Sequence, residues 1–160
     1  MKSPFFDAMG VALTAAREAA VCGEIPVGAV VISRQNGRVI SVARNHREER
    51  SDPFSHAEIE GMRDAARVRG RWNFEDCALV VTMEPCPMCA GALVSAHMGW
   101  VVFGAWDDKM GALGSVWDIA RDPHVGFKPE VYGGVRSDEC AAVLGEFFKQ
   151  KREWNGCGNG

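Results

Sequence analysis

Two cysteines separated by two residues are the first chemical signal in this 160-residue chain. Cys86 and Cys89 lie in the segment 82–91, between one apolar run and another. This pattern predicts a strand, a turn and the start of a helix. The N-terminal end of a helix carries partial positive charge, which favours the thiolate form of both cysteines. Two thiolates at this spacing are typical of a metal site, but they do not complete the coordination of zinc.

A histidine is the usual partner of cysteines at zinc, and the chain has four, at positions 46, 56, 97 and 124. His56 is favoured because it begins a predicted helix and Glu58 follows two residues later. Three protein ligands, His56, Cys86 and Cys89, would leave one tetrahedral position for water, as in a catalytic zinc site. Glu58 could then take a proton from that water and pass it to a leaving group.

One geometric condition applies to this interpretation. Residues two apart on a helix face roughly opposite ways. His56 and Glu58 therefore converge only if His56 lies in the irregular first turn of the helix.

Simpler interpretations stay open at this point. A Cys-x-x-Cys pair alone is also typical of a redox pair or of half a closed structural zinc site, and a His-x-Glu pair alone usually belongs to an exposed polar surface. A closed zinc site would need a fourth ligand, for which His97 is the histidine we would nominate. The chain would then be a non-catalytic, zinc-stabilised module that binds RNA or a protein.

Composition indicates an ordinary globular protein, with 47% hydrophobic and 24% charged residues. No apolar run is long enough to span a membrane and the N-terminus lacks the layout of a secretion signal, so we expect a cytoplasmic protein with no membrane partner. In such a chain a close cysteine pair indicates metal binding more than a disulfide. We expect Cys22, Cys77 and Cys140 to be small packing residues. The net charge of −3 does not by itself favour a nucleic-acid partner.

Alternating helices and strands must position the candidate residues. An Asn-Gly turn at residues 36–37 predicts a hairpin between the first two strands. The predicted strands are 27–32, 39–42, 77–82, 100–104 and 131–135. The predicted helices are 3–22, 56–69, one beginning around the cysteine pair, a short one at 115–120, and 137–152, with a loop at 45–52. This order predicts an α/β fold, a three-layer α/β/α sandwich with a mixed five-stranded sheet. We expect a single domain over residues 1–154 and a flexible tail over 155–160.

The two motifs together, His56-Ala57-Glu58 and Pro85-Cys86-Pro87-Met88-Cys89, match the signature of zinc-dependent nucleobase deaminases. Beyond them, the sequence resembles the family of bacterial tRNA-specific adenosine deaminases from its first helix to about Arg152. The segments that carry the resemblance are 23–30, 52–58, 88–92, 101–105, 111–115, 138–142 and 147–148.

The resemblance implies a cytidine-deaminase-like fold, one Zn²⁺ per chain and a homodimer. It implies hydrolytic deamination of the wobble adenosine of an arginine tRNA to inosine by a zinc-bound hydroxide, with Glu58 as the proton shuttle. The partner would be the tRNA anticodon loop, held across the dimer with its base flipped into the zinc pocket.

The resemblance also assigns residues that bind the substrate. Asn45 matches the asparagine of the family's pocket, and Val27 and Ala57 match positions in the pocket wall. Asp107 and Lys109 fall in the loop that approaches the RNA. A second interpretation of Asn45 is a residue that caps a turn after the second strand.

Three positions depart from the family pattern. Trp106 stands where the family usually has arginine, Trp100 stands where a basic residue is common, and His97 lies in a helix end that often carries Ser-Arg-Ile. Loss of positive charge weakens the attraction to phosphates, although an exposed tryptophan can stack on a base. These changes keep a second hypothesis open, a deaminase of a free base or nucleoside of the guanine or cytosine type.

Overall fold

The structure, a computed structural model, describes residues 3–157, with side chains through residue 155. Five strands form one sheet in the order β2-β1-β3-β4-β5. The strands are β1 (Gly28–Ser33), β2 (Val39–Arg44), β3 (Cys77–Met83), β4 (Trp100–Ala105) and β5 (Glu130–Gly133). The helices are α1 (Pro4–Val21), α2 (Arg47–Arg50), α3 (Ala57–Arg69), α4 (Pro87–Ser95) and α5 (Ser137–Cys157), with a 3₁₀ turn at Ile119–Arg121.

The sheet is mixed, as the sequence predicts. β1 pairs antiparallel with both β2 and β3, whereas β3, β4 and β5 run parallel. The parallel pairs are joined by crossovers, and α4 supplies the crossover between β3 and β4. Because α4 follows β3 directly, the first residues of α4 lie at the carboxyl end of a central strand.

Alternating strand residues divide the core into two layers. In β3, Leu79 and Val81 face a cluster that includes residues of α3 and α4, whereas Ala78 and Val80 face one that includes residues of α1 and α5. This period of two is what a strand covered on both faces requires. The predicted three-layer α/β/α sandwich is confirmed.

Helix starts follow the local sequence signals. Ser3 caps α1 by accepting a hydrogen bond from the Phe6 amide, and Pro4 occupies the first helical position. Pro87 plays the same part in α4, directly after Cys86. Gly70 ends α3 in the left-handed conformation that glycine adopts without strain.

The structure corrects several predicted boundaries. The loop predicted at 45–52 contains α2, and the helix predicted at 115–120 is only the 3₁₀ turn. The residues 155–157, predicted to start a flexible tail, continue α5. Residues 158–160 of that predicted tail lie outside the described part of the chain. Cys77 and Cys140 are buried as expected, but Cys22 is exposed because it lies at the end of α1.

Within residues 3–157, no helix is long and apolar enough to cross a bilayer.

Candidate metal centre and deaminase site

Three candidate ligands meet where two helices begin. His56 and Cys86 occupy the N-cap positions of α3 and α4, and Cys89 lies in the first turn of α4. Their ligand atoms all lie within 4.8 Å of one another. The Nδ1 atom of His56 is 3.7 Å from Cys86 Sγ and 3.5 Å from Cys89 Sγ.

These distances test whether the residues fit a zinc ion. Zn–S bonds of about 2.3 Å and Zn–N bonds of about 2.0 Å at a tetrahedral angle separate sulfur from nitrogen by about 3.5 Å. The separations of 3.5 and 3.7 Å agree with that value. The nitrogen–sulfur separations therefore fit a zinc ion held by His56, Cys86 and Cys89.

Backbone geometry explains how His56 and Glu58 reach the same site. His56 precedes α3 with φ −75° and ψ 153°, an extended conformation. The rule that residues two apart on a helix face opposite ways therefore does not apply to His56 and Glu58. Glu58 then lies in the first turn of α3. Its carboxylate oxygen Oε2 accepts a hydrogen bond from Cys89 Sγ at 2.8 Å.

The site shifts the ionisation of all four groups. The hydrogen bond with Cys89 lowers the pKa of Cys86 to about 4 against the effect of burial, and His56 contributes in the same direction. The hydrogen bond between Cys86 and Cys89, together with burial, raises the pKa of Cys89. The hydrogen bond to Cys86 raises the pKa of His56. Burial raises the pKa of Glu58, whose side chain is almost wholly enclosed. A bound metal cation would replace the protons that these ligand atoms share.

His97 does not join this cluster. It follows α4 with φ 53°, stacks on Phe127 at a centroid distance of 4.7 Å and lies 3.4 Å from Glu75 Oε1. The metal-binding group found among the described residues has three members, so His97 does not close the site as a fourth ligand.

Asn45 and Val27 lie next to each other at one end of β2 and β1. The Asn45 amide nitrogen donates to the Val27 carbonyl, and the side chain of Asn45 is largely buried. Its Oδ1 accepts from the Arg47 amide and its Nδ2 donates to the Ile25 carbonyl. Asn45 thus makes the turn-capping contacts of the second interpretation. Ala57 is buried directly after His56.

Asp107 and Lys109 lie in the loop after β4, where neither has a recorded contact with the ligand cluster. Asp107 Oδ1 accepts from the amides of Lys109 and Met110, which closes a tight turn. Lys109 is exposed. Trp106, beside them, is 56% exposed and packs edge-on against Phe103.

Sequence reasoning missed three buried glutamates around the site. Glu24 accepts from the amides of Glu48 and Glu49 and so caps α2. Glu60 accepts from Ser55 and from two arginines. Glu84 accepts from the loop after β4. Of these three, only Glu84 had a signal in the sequence, because it stands directly before the Pro-Cys pair at the end of an apolar strand.

Comparison with known proteins agrees with this geometry. The family model for the cytidine and deoxycytidylate deaminase zinc-binding region matches residues 6–105. A tRNA-specific adenosine deaminase of Bacillus subtilis is 39% identical over 145 residues, which cover 91% of this chain and 89% of the relative. A tRNA(Ile)-lysidine synthase of Deinococcus radiodurans is 46% identical over 149 residues, 93% of this chain but 25% of the relative. The chain thus spans about a quarter of that longer protein.

Two solved structures show the same fold. A tRNA:A34 deaminase, from work on A-to-I editing at the wobble position of transfer RNA, has a TM-score of 0.83 and 37% identity. That match covers 86% of this chain and 99% of the other. A guanine deaminase of Nitrosomonas europaea has a TM-score of 0.75 and 25% identity, covering 92% of this chain and 85% of the other.

The chain therefore belongs to the cytidine and deoxycytidylate deaminase family, whose zinc-binding region it contains. Within that family it groups with the tRNA-specific adenosine deaminases, to which its identity extends over nearly the whole length of both chains.

Proposed function

We propose that this protein converts the wobble adenosine of an arginine tRNA to inosine by hydrolytic deamination. The observation that carries the proposal is the carboxylate of Glu58, buried beside three side chains that fit one zinc ion. The relatives support tRNA as the substrate class, because both the B. subtilis deaminase and the longer Deinococcus protein are named for tRNA.

His56, Cys86 and Cys89 would hold one zinc ion per chain. When bound, zinc would activate a water molecule for attack on the ring carbon that bears the amine. Three protein ligands would leave room for that water at the metal, as in catalytic zinc sites.

Glu58 would move the protons of the reaction. Its carboxylate would take one proton from the water and deliver it to the ring nitrogen, and would then take the second proton from the new hydroxyl group and deliver it to the amine that leaves as ammonia. Adenosine and water thus yield inosine and ammonia. Burial raises the pKa of Glu58, which suits a group that must hold a proton and release it within one cycle.

Asn45, Val27 and Ala57 would form the base pocket. The two side-chain hydrogen bonds of Asn45 leave one amide hydrogen and one oxygen lone pair without a recorded partner among the described residues. Asn45 can therefore cap α2 and also bind a nucleoside, so its two interpretations are compatible. Asp107 and Lys109 would lie along the RNA strand. We also propose that the protein acts as a homodimer in the cytoplasm, which light scattering and cell fractionation would test.

The Glu58→Gln variant tests the mechanism. We expect it to keep one zinc per chain and to lose about 10²- to 10⁴-fold in the rate of inosine formation on an arginine-tRNA anticodon stem-loop, because glutamine cannot carry the proton. Glu18→Gln, an exposed glutamate on α1, is the control for the change in charge. Zinc-loaded Glu58→Gln protein with wild-type turnover would refute the role of Glu58.

A free-base deaminase is the second candidate, favoured by the structural likeness to the guanine deaminase. The same assay, run in parallel with guanine, cytidine and adenosine, separates the two. Inosine at the wobble position alone supports the tRNA substrate. Conversion of a free base without any inosine in the stem-loop would assign the protein to the second class and leave the zinc chemistry unchanged.

A further inference from the structure

Glu84 lies between the ligand Cys86 and the loop after β4, and its environment differs from that of a packing residue. The side chain is 3% exposed and follows the last residue of β3. Its backbone amide donates to the Ala105 carbonyl at 2.8 Å, which continues the pairing of β3 with β4.

Four hydrogen-bond donors of one loop converge on this single carboxylate. Oε1 accepts from the Asp107 amide at 3.2 Å and from the Ser115 hydroxyl. Oε2 accepts from the amides of Leu113 and Ser115, each at 3.1 Å. An ionised carboxylate offers acceptors only, and here both oxygens face donors. Burial of a charged group at this position is stable because these bonds replace water.

The polar contacts of the segment 107–115 therefore converge on Glu84, while its residues Ala112 and Leu113 are buried in the hydrophobic core. Ala112 also donates its amide to the Pro85 carbonyl at 2.9 Å, so the loop is joined to two consecutive residues that precede Cys86. Gly111 lies against the carboxylate so closely that a Cβ there would overlap Glu84 Cδ and the Asp107 carbonyl. Residue 111 has room only for glycine because the loop packs directly on Glu84.

We propose that Glu84 is a positioning residue that holds the 107–115 loop, with Asp107 and Lys109 on it, in register with the metal-ligand turn. The inference rests on the proposed function, because the loop is proposed to contact the RNA substrate. The hydrogen bonds of the Glu84 carboxylate go to Asp107, Leu113 and Ser115 of the loop. The effect of Glu84 is to set the distance between the cysteine turn and the loop.

The Glu84→Gln variant tests this role because it keeps the shape and replaces one acceptor oxygen with a donor. At least two loop donors then face an NH₂ group or lose their partner. We expect KM for the anticodon stem-loop to rise about tenfold, with kcat changed less than about threefold and zinc still at one per chain. Hydrogen exchange of the amides of 107–115 should accelerate in the same protein without substrate. Glu18→Gln again controls for charge.

Two further variants keep the test decisive if Glu84→Gln does not fold. Ser115→Ala removes one donor and leaves the carboxylate intact, so KM and loop exchange should shift the same way by about threefold. Gly111→Ala leaves every acceptor in place and displaces the loop by overlap, with the same expected direction.

The exchange measurement separates failure of this inference from failure of the proposed function. Unchanged exchange of 107–115 in Glu84→Gln, or an unaltered KM in Glu84→Gln protein that keeps one zinc per chain, would overturn the positioning role. Accelerated exchange in a protein whose wild type makes no inosine would leave Glu84 as the loop's anchor and would reject the tRNA substrate.

Discussion

The buried glutamates of this protein differ in the groups that donate hydrogen bonds to their carboxylates. Glu24 and Glu84 are enclosed by backbone amides, and Glu60 by Ser55 and two arginines. Each therefore has its hydrogen-bonding capacity committed to structure. Glu58 faces the thiol of Cys89 inside the ligand cluster. At the scale of single residues, this contrast supports the proposal that Glu58 is the carboxylate that transfers protons.

Trp106 supports a prediction about RNA affinity. Its ring is half-exposed beside Asp107, where the resembled family usually has arginine. Trp106→Arg should make RNA binding stronger at low salt and steepen the plot of log K against log salt by about 0.7, the value for one added contact with single-stranded phosphate. The measurement is a stem-loop titration at several salt concentrations.

The control places the same charge elsewhere. Val21→Arg, at a position 88% exposed at the end of α1, adds the same charge away from the loop. An equal change of slope in both variants would show a general effect of net charge and contradict a local role for residue 106.

At the scale of elements, the site depends on two helix starts and on the close packing that holds them. α3 and α4 each place a ligand at the N-cap, where the chain is extended and the side chain is free of helical rotation. Their starts meet because α4 follows β3 in the middle of the sheet, while α3 covers the same face. On the other face α1 packs against β1 with almost no space between backbones.

Gly28 tests that contact between α1 and β1. A Cβ at residue 28 would overlap the Ala12 carbonyl oxygen and lie 2.8 Å from the Ala16 amide nitrogen, so the backbones must separate. Gly28→Ala should lower the free energy of unfolding by about 3 kcal/mol, measured by urea denaturation.

Gly145 is the matched position. It lies in α5, and a Cβ added there would meet no neighbouring atom within 4 Å, so alanine fits without displacing anything. Gly145→Ala should raise stability by about 0.5–1 kcal/mol through lower chain entropy in the unfolded state. A stabilised Gly28→Ala protein would mean that α1 can move away from β1 at no cost.

At the scale of the whole molecule, zinc would link parts of the chain that are distant in sequence. His56 lies on the segment after the hairpin, and the cysteines lie 30 and 33 residues later. A ligand that binds only the folded state stabilises the entire domain by mass action.

Removal of zinc should therefore lower Tm as well as abolish activity. Free zinc at about 100 times its Kd contributes about 2.7 kcal/mol, which corresponds to a Tm shift on the order of 5–10 °C for a domain of this size. Calorimetry of the chelated and reconstituted protein measures the shift. Cys89→Ser should show a Tm that does not respond to zinc. An unchanged Tm in wild-type protein of known zinc content would contradict coupling between metal and fold.

Local sequence was sufficient for most elements and for the ligands themselves. The Asn-Gly hairpin, the alternating apolar strands and the proline at the start of α4 act over a few residues, so they can be read without the fold. The cysteine spacing and the His-x-Glu pair likewise lie within one helical turn each, so the chemistry they indicate can be inferred from the local sequence. The boundaries failed where a helix continues past a local stop signal, as at α5, which extends through Asn155 and Gly156 to Cys157.

The tertiary structure alone decided what encloses the site. Glu84 meets Asp107 and Ser115 across 23 and 31 residues, and Glu24 meets Glu48 across 24. No periodicity encodes such pairs, because a carboxylate can accept from any amide that the fold brings near. The sequence by itself determined the family and indicated the candidate metal ligands. The tertiary structure decided which donors enclose the buried carboxylates Glu24 and Glu84, because these contacts depend on where the fold brings distant segments together.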